Sequence, residues 1–300
     1  MSVATPRFGR VLTAMVTPFD GNGVLDLDGA ATLARWLVAN GSDGLVVAGT
    51  TGEAPVLTDE ERMDLIEAVA ASVTVPVLAG TTTNDTAHSV GLTKRARDIG
   101  AAGVLAVTPY YNRPSQRGLL GHFGAIAEAT DLPVVLYDIP IRTGRKIESE
   151  TVLALAKSHA NIVALKDAAG DVASTAEFIR QASCDFEVYA GDDGLIIPLM
   201  SVGAVGVISV ASHWVGAQMG ASMEALVSGN LAEAVAMNQG LLASYRFESQ
   251  LDWPNPIPTK AILRALGLPG GQCRLPMGEA DAALDAAARA LCVELGLING

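Results

Sequence analysis

Lys166 is the residue of this sequence whose type and position most directly suggest chemistry, because it follows the apolar run 162–165. Lysine is almost never buried without a reason, and burial lowers the pKa of its amine by disfavouring the ammonium form. A neutral amine can attack a ketone to form an iminium, which lets the adjacent carbon lose a proton and become an enamine. Position alone leaves a second interpretation open, in which Lys166 forms an ion pair with Asp138 or Asp167 or extends its ammonium group to solvent.

Two further apolar runs end in groups that could hold and protonate a keto acid. The turn 49–53, of sequence GTTGE, offers backbone amides and the hydroxyls of Thr50 and Thr51 to a carboxylate. Tyr137 ends the run 134–137 and places a phenol one strand away from Lys166, within reach for proton transfer. Taken singly, the turn is equally typical of a helix-capping loop, and Tyr137 of a packed core tyrosine.

Arg142 and the pair Tyr110-Tyr111 lie on loops that follow predicted strands. The guanidinium of Arg142 is suited to two-point binding of a substrate carboxylate, although a surface ion pair is the alternative. The two tyrosines follow Pro109 and are placed to pack against another subunit or to cover the end of the fold. These loops add an anion-binding group and an aromatic surface to the candidate site.

Composition excludes several other chemistries. The three cysteines and four histidines lack the spacing of a disulfide framework or a zinc site, so no metal is expected. Adjacent acids at Asp192 and Asp193 disfavour a phosphate site after the seventh predicted strand. A formal net charge of -12 argues against nucleic acid or an anionic membrane as a partner. The first ten residues lack the apolar segment of a signal peptide, which predicts a cytoplasmic location.

Eight short apolar runs recur at nearly even spacing, as expected of strands that are covered on both faces. Helical spacing fills the segments between them, and Thr58 with Glu61 predicts a capping box after the second run. The uncharged stretch between Asp193 and Glu224 is not predicted to span a membrane, because Pro198 and several glycines break it. The runs occupy 11–16, 44–48, 75–79, 103–107, 134–137, 162–165, 187–190 and 205–210.

Eight strand-helix units predict an α/β fold, a (β/α)8 TIM barrel, over residues 1–230. A doubly wound open sheet is the alternative, but TPFD at 17–20 stands where such sheets carry a GxGxxG phosphate motif. From 231 to 300 the pattern is purely helical, with helices predicted at 231–247, 258–266 and 279–295. The sequence therefore predicts a catalytic barrel domain followed by a C-terminal α-helical domain.

These motifs, taken in order, resemble the dihydrodipicolinate synthase family over nearly the whole chain. The resemblance rests on GTTGE at 49–53, YYN at 110–112, the segment 137–144, Lys166, NPIP at 255–258 and RLPM at 274–277. The wider superfamily shares the barrel and the Schiff-base lysine and includes N-acetylneuraminate lyase and keto-sugar-acid aldolases. The resemblance implies a lyase that condenses pyruvate with L-aspartate 4-semialdehyde in lysine and diaminopimelate biosynthesis, without a metal or PLP.

The same resemblance implies roles for five residues. Lys166 would hold pyruvate as a Schiff base, and Thr50 and Thr51 would bind the region of its carboxylate. Tyr137 would pass protons through Thr51 to Tyr111, which the neighbouring subunit would supply. The family pattern also implies a homotetramer built as a dimer of dimers.

Three further positions follow from the resemblance. Arg142 would receive the carboxylate of aspartate semialdehyde, Gly191 would line the active site, and the backbone carbonyl of Ile208 would face the lysine. Arg142 and Thr51 disfavour a related aldolase that acts on a sugar acid. A non-catalytic barrel that serves as a binding subunit is also disfavoured, because the lysine, tyrosine and threonine positions are intact.

Two departures from the family pattern carry expectations of their own. Asp138 stands where many members have Asn, and we expect little functional change from it. Arg62 and His88 stand where lysine-inhibited members commonly have His and Glu, while Asn84 matches. Losing a carboxylate and gaining a cation should weaken capture of a lysine ammonium group, so we expect insensitivity to lysine.

Overall fold

The computed structural model describes residues 5–299, within which eight parallel strands close into a barrel in chain order. The strands are β1 (Val11–Ala14), β2 (Gly44–Val47), β3 (Val77–Gly80), β4 (Gly103–Val107), β5 (Val134–Asp138), β6 (Ile162–Asp167), β7 (Glu187–Ala190) and β8 (Gly206–Ser209). Strand β1 pairs with β8 as well as with β2, so the sheet has no open edge. The predicted barrel is confirmed, and the open sheet is excluded.

Helices follow every strand and cover the outside of the barrel. They are α1 (Leu27–Ala39), α2 (Asp59–Ser72), α3 (Thr86–Asp98), α4 (Gln116–Glu128), α5 (Pro140–Thr143), α6 (Ser149–Ser158), α7 (Val172–Gln181), α8 (Ile196–Ser201) and α9 (Ser212–Val227). The predicted capping box of α2 is confirmed, because the Glu61 amide donates to the Thr58 hydroxyl and the Thr58 amide donates to the Glu61 carboxylate. None of the helices described between residues 5 and 299 combines the length and the low charge needed to cross a bilayer.

Three helices complete the C-terminal part of the chain, as predicted: α10 (Leu231–Glu248), α11 (Ile257–Ala265) and α12 (Ala282–Glu294). Helix α12 begins three residues later than predicted, because the Asp281 carboxylate caps it by accepting a hydrogen bond from the Leu284 amide. Helix α10 packs against α9, and α11 packs against α12. The division of the chain into two domains at residue 230 stays a prediction.

The difference at a strand end that affects the candidate site concerns β6, which continues two residues beyond the predicted run. Lys166 pairs with Tyr137 of β5 and with Tyr189 of β7. The next residue, Asp167, pairs with Asp138 and Ala190. Strand pairing uses only backbone hydrogen bonds, so the polar side chains of Lys166 and Asp167 do not prevent β6 from continuing. The extension places Lys166 inside a strand, where its position is fixed by two neighbouring strands.

A separate cluster of buried apolar side chains fills the inside of the barrel, so the barrel is a packed core with no pore. Its lower layers include Leu12, Val46, Leu78 and Val135. Because all eight strands run in the same direction, their C-terminal ends meet at one face of the barrel. Residues that end these strands can therefore converge on a common site.

Candidate active site

Lys166 lies in the upper layer of the barrel interior, and only 4% of its surface is exposed. Its Nζ lies 4.3 Å from the centroid of the Tyr137 ring. Among residues 5–299 no side chain forms an ion pair or a hydrogen bond with this amine. Burial lowers the pKa of Lys166 to about 8, and the acids Asp193 and Glu248 oppose that shift. The amine therefore titrates near neutral pH, as a nucleophile should.

The two acids that could have paired with Lys166 are engaged elsewhere. Asp138 forms an ion pair with Lys146, whose Nζ lies 2.9 Å from Oδ2. Asp167 accepts hydrogen bonds from the Thr175 hydroxyl and from a backbone amide of its own loop. The ion-pair interpretation of Lys166 with either acid is therefore wrong.

Tyr137 ends the neighbouring strand β5 and is 4% exposed. Burial raises the pKa of its phenol to about 12, with Arg142 and a hydrogen bond to Thr50 acting in the opposite direction. The hydroxyl is thus protonated at neutral pH and available as a donor to a bound substrate. Asp138, the departure from the family pattern, is the weakest of the influences on this pKa, because Lys146 balances its charge.

The turn after β2 is tied to the C-terminal part of the chain. The Thr51 hydroxyl accepts a hydrogen bond from the Asn255 side-chain amide, with a distance of 3.0 Å between Oγ1 and Nδ2. Glu53 has a left-handed φ of 54° and forms a buried ion pair with Lys260, with 2.7 Å between Oε1 and Nζ. A simple helix-capping loop would need neither contact. The turn is therefore held in place by residues about 200 positions later in the sequence.

A cleft of about 370 Å³ opens above Lys166 and brings most of the predicted residues together. Arg142 lines it from the short helix α5, and its Nη2 donates to the backbone carbonyl of Asn255 at 3.2 Å. The remaining donors of this exposed guanidinium can bind a carboxylate. Predicted site residues in the lining are Thr50, Thr51, Tyr137, Arg142, Lys166 and Gly191.

Gly191 lines this cleft, whereas Ile208 is not among the lining residues. A Cβ on Gly191 would stand 2.8 Å from the Cβ of Ala168, so glycine lets the two loops approach each other at the cleft wall. Ile208 is buried in β8 and belongs to the same interior cluster as Tyr137. The predicted role of its carbonyl stays a prediction.

Tyr111 is the one predicted catalytic residue that this chain does not bring into the cleft. It is 90% exposed, has a φ of 72°, and does not line the space above Lys166. Within one chain, Thr51 therefore bonds to Asn255 and not to Tyr111. The relay through Tyr111 stays a prediction that requires a second subunit.

A second cavity of about 220 Å³ is lined by Arg62 and Tyr110, whereas Asn84 and His88 are not among its lining residues. Arg62 is 3% exposed, and its guanidinium donates to two backbone carbonyls. His88 pairs with Asp59, with 2.8 Å between Nε2 and Oδ1. Asn84 accepts a hydrogen bond at its backbone carbonyl. A buried cation thus lines this cavity, and the expected insensitivity to lysine stays a prediction.

Sequence reasoning missed Asn255, Asp193 and Glu248 as members of the site. Glu248 carried a usable signal, because it continues the buried face of α10 formed by Leu241 and Tyr245 at helical spacing. A charged residue on such a face is unusual and indicates a partner or a function. Among the described residues, no group of three or more His, Cys, Asp or Glu side chains is arranged to hold a metal ion.

The fold and the site together define a class of enzyme: a (β/α)8 barrel lyase of the class I aldolase type, with a buried lysine at the C-terminal face. A family model described as the Dihydrodipicolinate synthetase family matches residues 7–292. The chain belongs to this family, which confirms the resemblance in its motifs.

Individual relatives agree with this assignment. The chain is 50% identical to the 4-hydroxy-tetrahydrodipicolinate synthase of Moorella thermoacetica over 273 residues, covering 90% of this chain and 92% of that protein. The structure of the Cyanidioschyzon merolae synthase with lysine bound matches with a TM-score of 0.95 at 42% identity, covering 98% of this chain and 100% of that one. The chloride-inhibited synthase of Acinetobacter baumannii, solved with pyruvate, gives 0.91 at 35% identity, covering 97% and 100%.

Proposed function

We propose that the chain catalyses the 4-hydroxy-tetrahydrodipicolinate synthase reaction, which joins pyruvate to L-aspartate 4-semialdehyde on the route to diaminopimelate and lysine. The observation that carries this proposal is the Lys166 amine, buried beside Tyr137 and free of ion pairs within the described chain. Family membership and the 50% identity to a synthase of that name support the choice of substrates. The pyruvate complex of a related synthase supports the first of them.

The reaction begins when neutral Lys166 attacks the keto carbon of pyruvate and water leaves, which gives an iminium. Loss of a proton from the methyl carbon gives the enamine, and that carbon attacks the aldehyde of the semialdehyde. The substrate amine then adds to the iminium carbon and expels the lysine, which closes the ring and regenerates the enzyme. One water is released overall, and neither a redox partner nor a metal is needed for this balance.

The residues around the cleft supply the groups that these steps require. Thr50 and Thr51 bind the pyruvate carboxylate region, and Arg142 receives the carboxylate of the semialdehyde. Tyr137 donates and accepts the protons of iminium formation and ring closure, because its phenol stays protonated between steps. The site is thus assembled from a nucleophile, a proton carrier and an anion clamp on adjacent strand ends.

We further infer that the enzyme works as a homotetramer built as a dimer of dimers, in which Tyr111 completes the relay of a neighbouring subunit. The high exposure of Tyr111 supports this arrangement, because an exposed side chain is free to extend into the cleft of a neighbouring subunit. A cytoplasmic location and a reaction without metal or PLP complete the proposal. Gly191 and the Ile208 carbonyl belong to the wall that faces the lysine adduct.

Reductive trapping tests the nucleophile, and acceptor choice tests the reaction. The enzyme is incubated with pyruvate and borohydride, digested, and mapped by mass spectrometry, with the adduct expected on the peptide that contains Lys166. In a separate assay without borohydride, the enzyme and pyruvate are given aspartate semialdehyde or, as a control, sugar aldehydes, and product formation is compared. An adduct on another lysine contradicts the nucleophile assignment. Preference for a sugar aldehyde contradicts the synthase assignment and leaves the nucleophile intact.

A further inference from the structure

Two buried acids act on the charge of Lys166, and we call Asp193 and Glu248 the carboxyl pair. Asp193 follows β7 and is 2% exposed, whereas Glu248 is the last residue of α10 and is 8% exposed. Glu248 lines the cleft together with Lys166. The pair therefore joins a barrel loop to a C-terminal helix at the point where the iminium would form.

The hydrogen bonds of Asp193 leave one of its two oxygens for Glu248. Oδ2 accepts from the Ser209 hydroxyl at 2.9 Å and from the amides of Val210 and Ala211 at 3.1 and 2.7 Å. Oδ1 is buried and receives no N–H or hydroxyl donor among the described residues. This oxygen is therefore open to a hydrogen bond from the Glu248 carboxyl group, which is near enough for each acid to shift the pKa of the other. Two carboxylates can form that bond only if one of them carries a proton.

The distribution of donors decides which acid carries the proton. Three donors on Oδ2 favour the anion of Asp193, while burial and the Asp193 charge raise the pKa of Glu248 well above its ordinary value. Burial also raises the pKa of Asp193, but the donors oppose that shift. The donors therefore favour the charge on Asp193 and the proton on Glu248.

We propose that the carboxyl pair shares one proton and that its single negative charge, held on Asp193, stabilises the cationic iminium on Lys166. The two acids are positioning residues that act through the lysine. This inference rests on the proposed Schiff base, because a charge behind Lys166 matters to the reaction only if that amine becomes an iminium.

The count of charges explains why one proton is needed. Two carboxylates behind Lys166 would hold the lysine as ammonium, which cannot attack a ketone, whereas no charge would leave the iminium without a counter-ion. Two further charges act on these groups among the described residues. Asp192, in the same turn as Asp193, adds a negative charge near Glu248, and Arg142 adds a positive charge near Lys166. Tyr245, which faces the pair from α10, has its pKa raised and stays neutral.

Infrared spectroscopy of the free enzyme tests the shared proton directly. With glutamate labelled by ¹³C at the side-chain carboxyl, we expect the C=O band of one protonated glutamic acid at pH 7.5, and its loss in Glu248→Gln. Tyr245→Phe is the matched control, because it alters the same helix face and keeps both acids. Absence of the band, or its persistence in Glu248→Gln, overturns the proposal. This result does not depend on substrate, so it stands even if trapping with pyruvate fails.

The pH dependence of adduct trapping tests the charge. Because Gln mimics a protonated Glu, Glu248→Gln should leave the inflection within about 0.3 pH unit of the parent, and Asp193→Asn should lower it by roughly one unit. Asp193→Asn should also slow turnover at saturating pyruvate by about tenfold. If Asp193→Asn does not fold, Glu248→Gln alone decides, since a downward shift of one unit in that variant shows that Glu248 was ionised.

Discussion

Two lysines of this enzyme are almost equally buried, yet only one of them is free to react. Lys166 is 4% exposed and Lys260 is 0% exposed. Each amine lies over an aromatic ring, with 4.3 Å from Lys166 to the Tyr137 centroid and 4.4 Å from Lys260 to that of Phe19. Lys260, however, also has the Glu53 carboxylate at 2.7 Å and donates to a backbone carbonyl.

The comparison shows that burial is not sufficient to make a lysine nucleophilic. Burial lowers the pKa of both amines. At Lys260 the adjacent Glu53 opposes that shift and forms an ion pair with the ammonium group. Desolvation is the largest cause of the shift at both lysines, but among the described residues no acid forms an ion pair with Lys166. Lys260 forms a structural ion pair that anchors α11 to the turn after β2, and Lys166 is the proposed nucleophile.

Replacing Lys166 should have the largest effect on activity. Lys166→Arg keeps a cation but has no amine that can form an iminium, so we expect turnover to fall by at least about 10³-fold and pyruvate trapping to disappear. Steady-state kinetics and mass spectrometry measure the two effects. Lys146→Arg is the control, because it changes another lysine near the site and should keep the trapped adduct. Substantial turnover in Lys166→Arg would contradict the assignment.

Tyr137→Phe removes the one chemical difference between the rings that lie beneath the two lysines. The hydroxyl is the proton donor at Lys166, and Phe19 at Lys260 has none, so turnover should fall by ~10²- to 10⁴-fold. Trapping of pyruvate should be slowed but still occur on Lys166. Near-normal turnover in Tyr137→Phe would remove this residue from the mechanism.

Lys260→Met tests the structural lysine. The variant leaves Glu53 buried without its partner, which should lower the free energy of unfolding by about 3–5 kcal/mol. Glu53→Gln combined with Lys260→Met should recover part of that loss, because no charge remains unpaired. Denaturant unfolding measures both, and the adduct in the folded fraction should still map to Lys166. An adduct that disappears in Lys260→Met while the protein stays folded would mean that the two lysines are not separate in function.

Asn255→Ala should have a smaller effect. It removes the donor to the Thr51 hydroxyl but keeps the backbone carbonyl that Arg142 contacts. Losing one hydrogen bond of about 1.4 kcal/mol corresponds to a tenfold fall in kcat/KM. Asn22→Ala, in an exposed loop, is the control and should be unchanged. Equal kcat/KM for both variants would show that the turn positions Thr51 without Asn255.

The smallest expected effect is that of added lysine. Arg62 is a third buried cation, and it lines the second cavity with its guanidinium bonded to backbone carbonyls. A lysine ammonium group would meet this positive charge, so millimolar lysine should leave the initial rate unchanged. The double variant Arg62→His with His88→Glu should gain inhibition. Strong inhibition of the parent enzyme by lysine would contradict this prediction.

The sequence was sufficient for the barrel and for most of the site, for an identifiable physical reason. Strands covered on both faces leave continuous apolar runs, and the eight runs matched the eight strands with ends displaced by two residues at most. Lys166 stood out because it interrupts that rule. The sequence could not show that Lys166 has no ion pair. That depends on Asp138 pairing instead with Lys146, which lies in the segment after β5.

The C-terminal contributions to the site were also beyond the sequence. Glu248 and Asn255 reach the cleft because α10 packs against α9 and the turn after β7, and because the segment after α10 returns to Thr51. Local patterns cannot specify which face of a distant helix meets which loop. Local patterns also cannot specify the proposed placement of Tyr111 in a neighbouring subunit, because it depends on the surface of another chain.

The pH dependence of pyruvate trapping measures the central claim, that Lys166 is reactive because it is desolvated and unpaired. Trapping rates are measured from pH 6 to 10.5 on the parent enzyme, and the adduct is mapped at each pH. With a pKa of about 8, the rate should rise tenfold per pH unit up to an inflection near pH 8 and then level. An inflection near 10.5, the ordinary value for lysine, would show that the amine of Lys166 is not perturbed and would contradict the account.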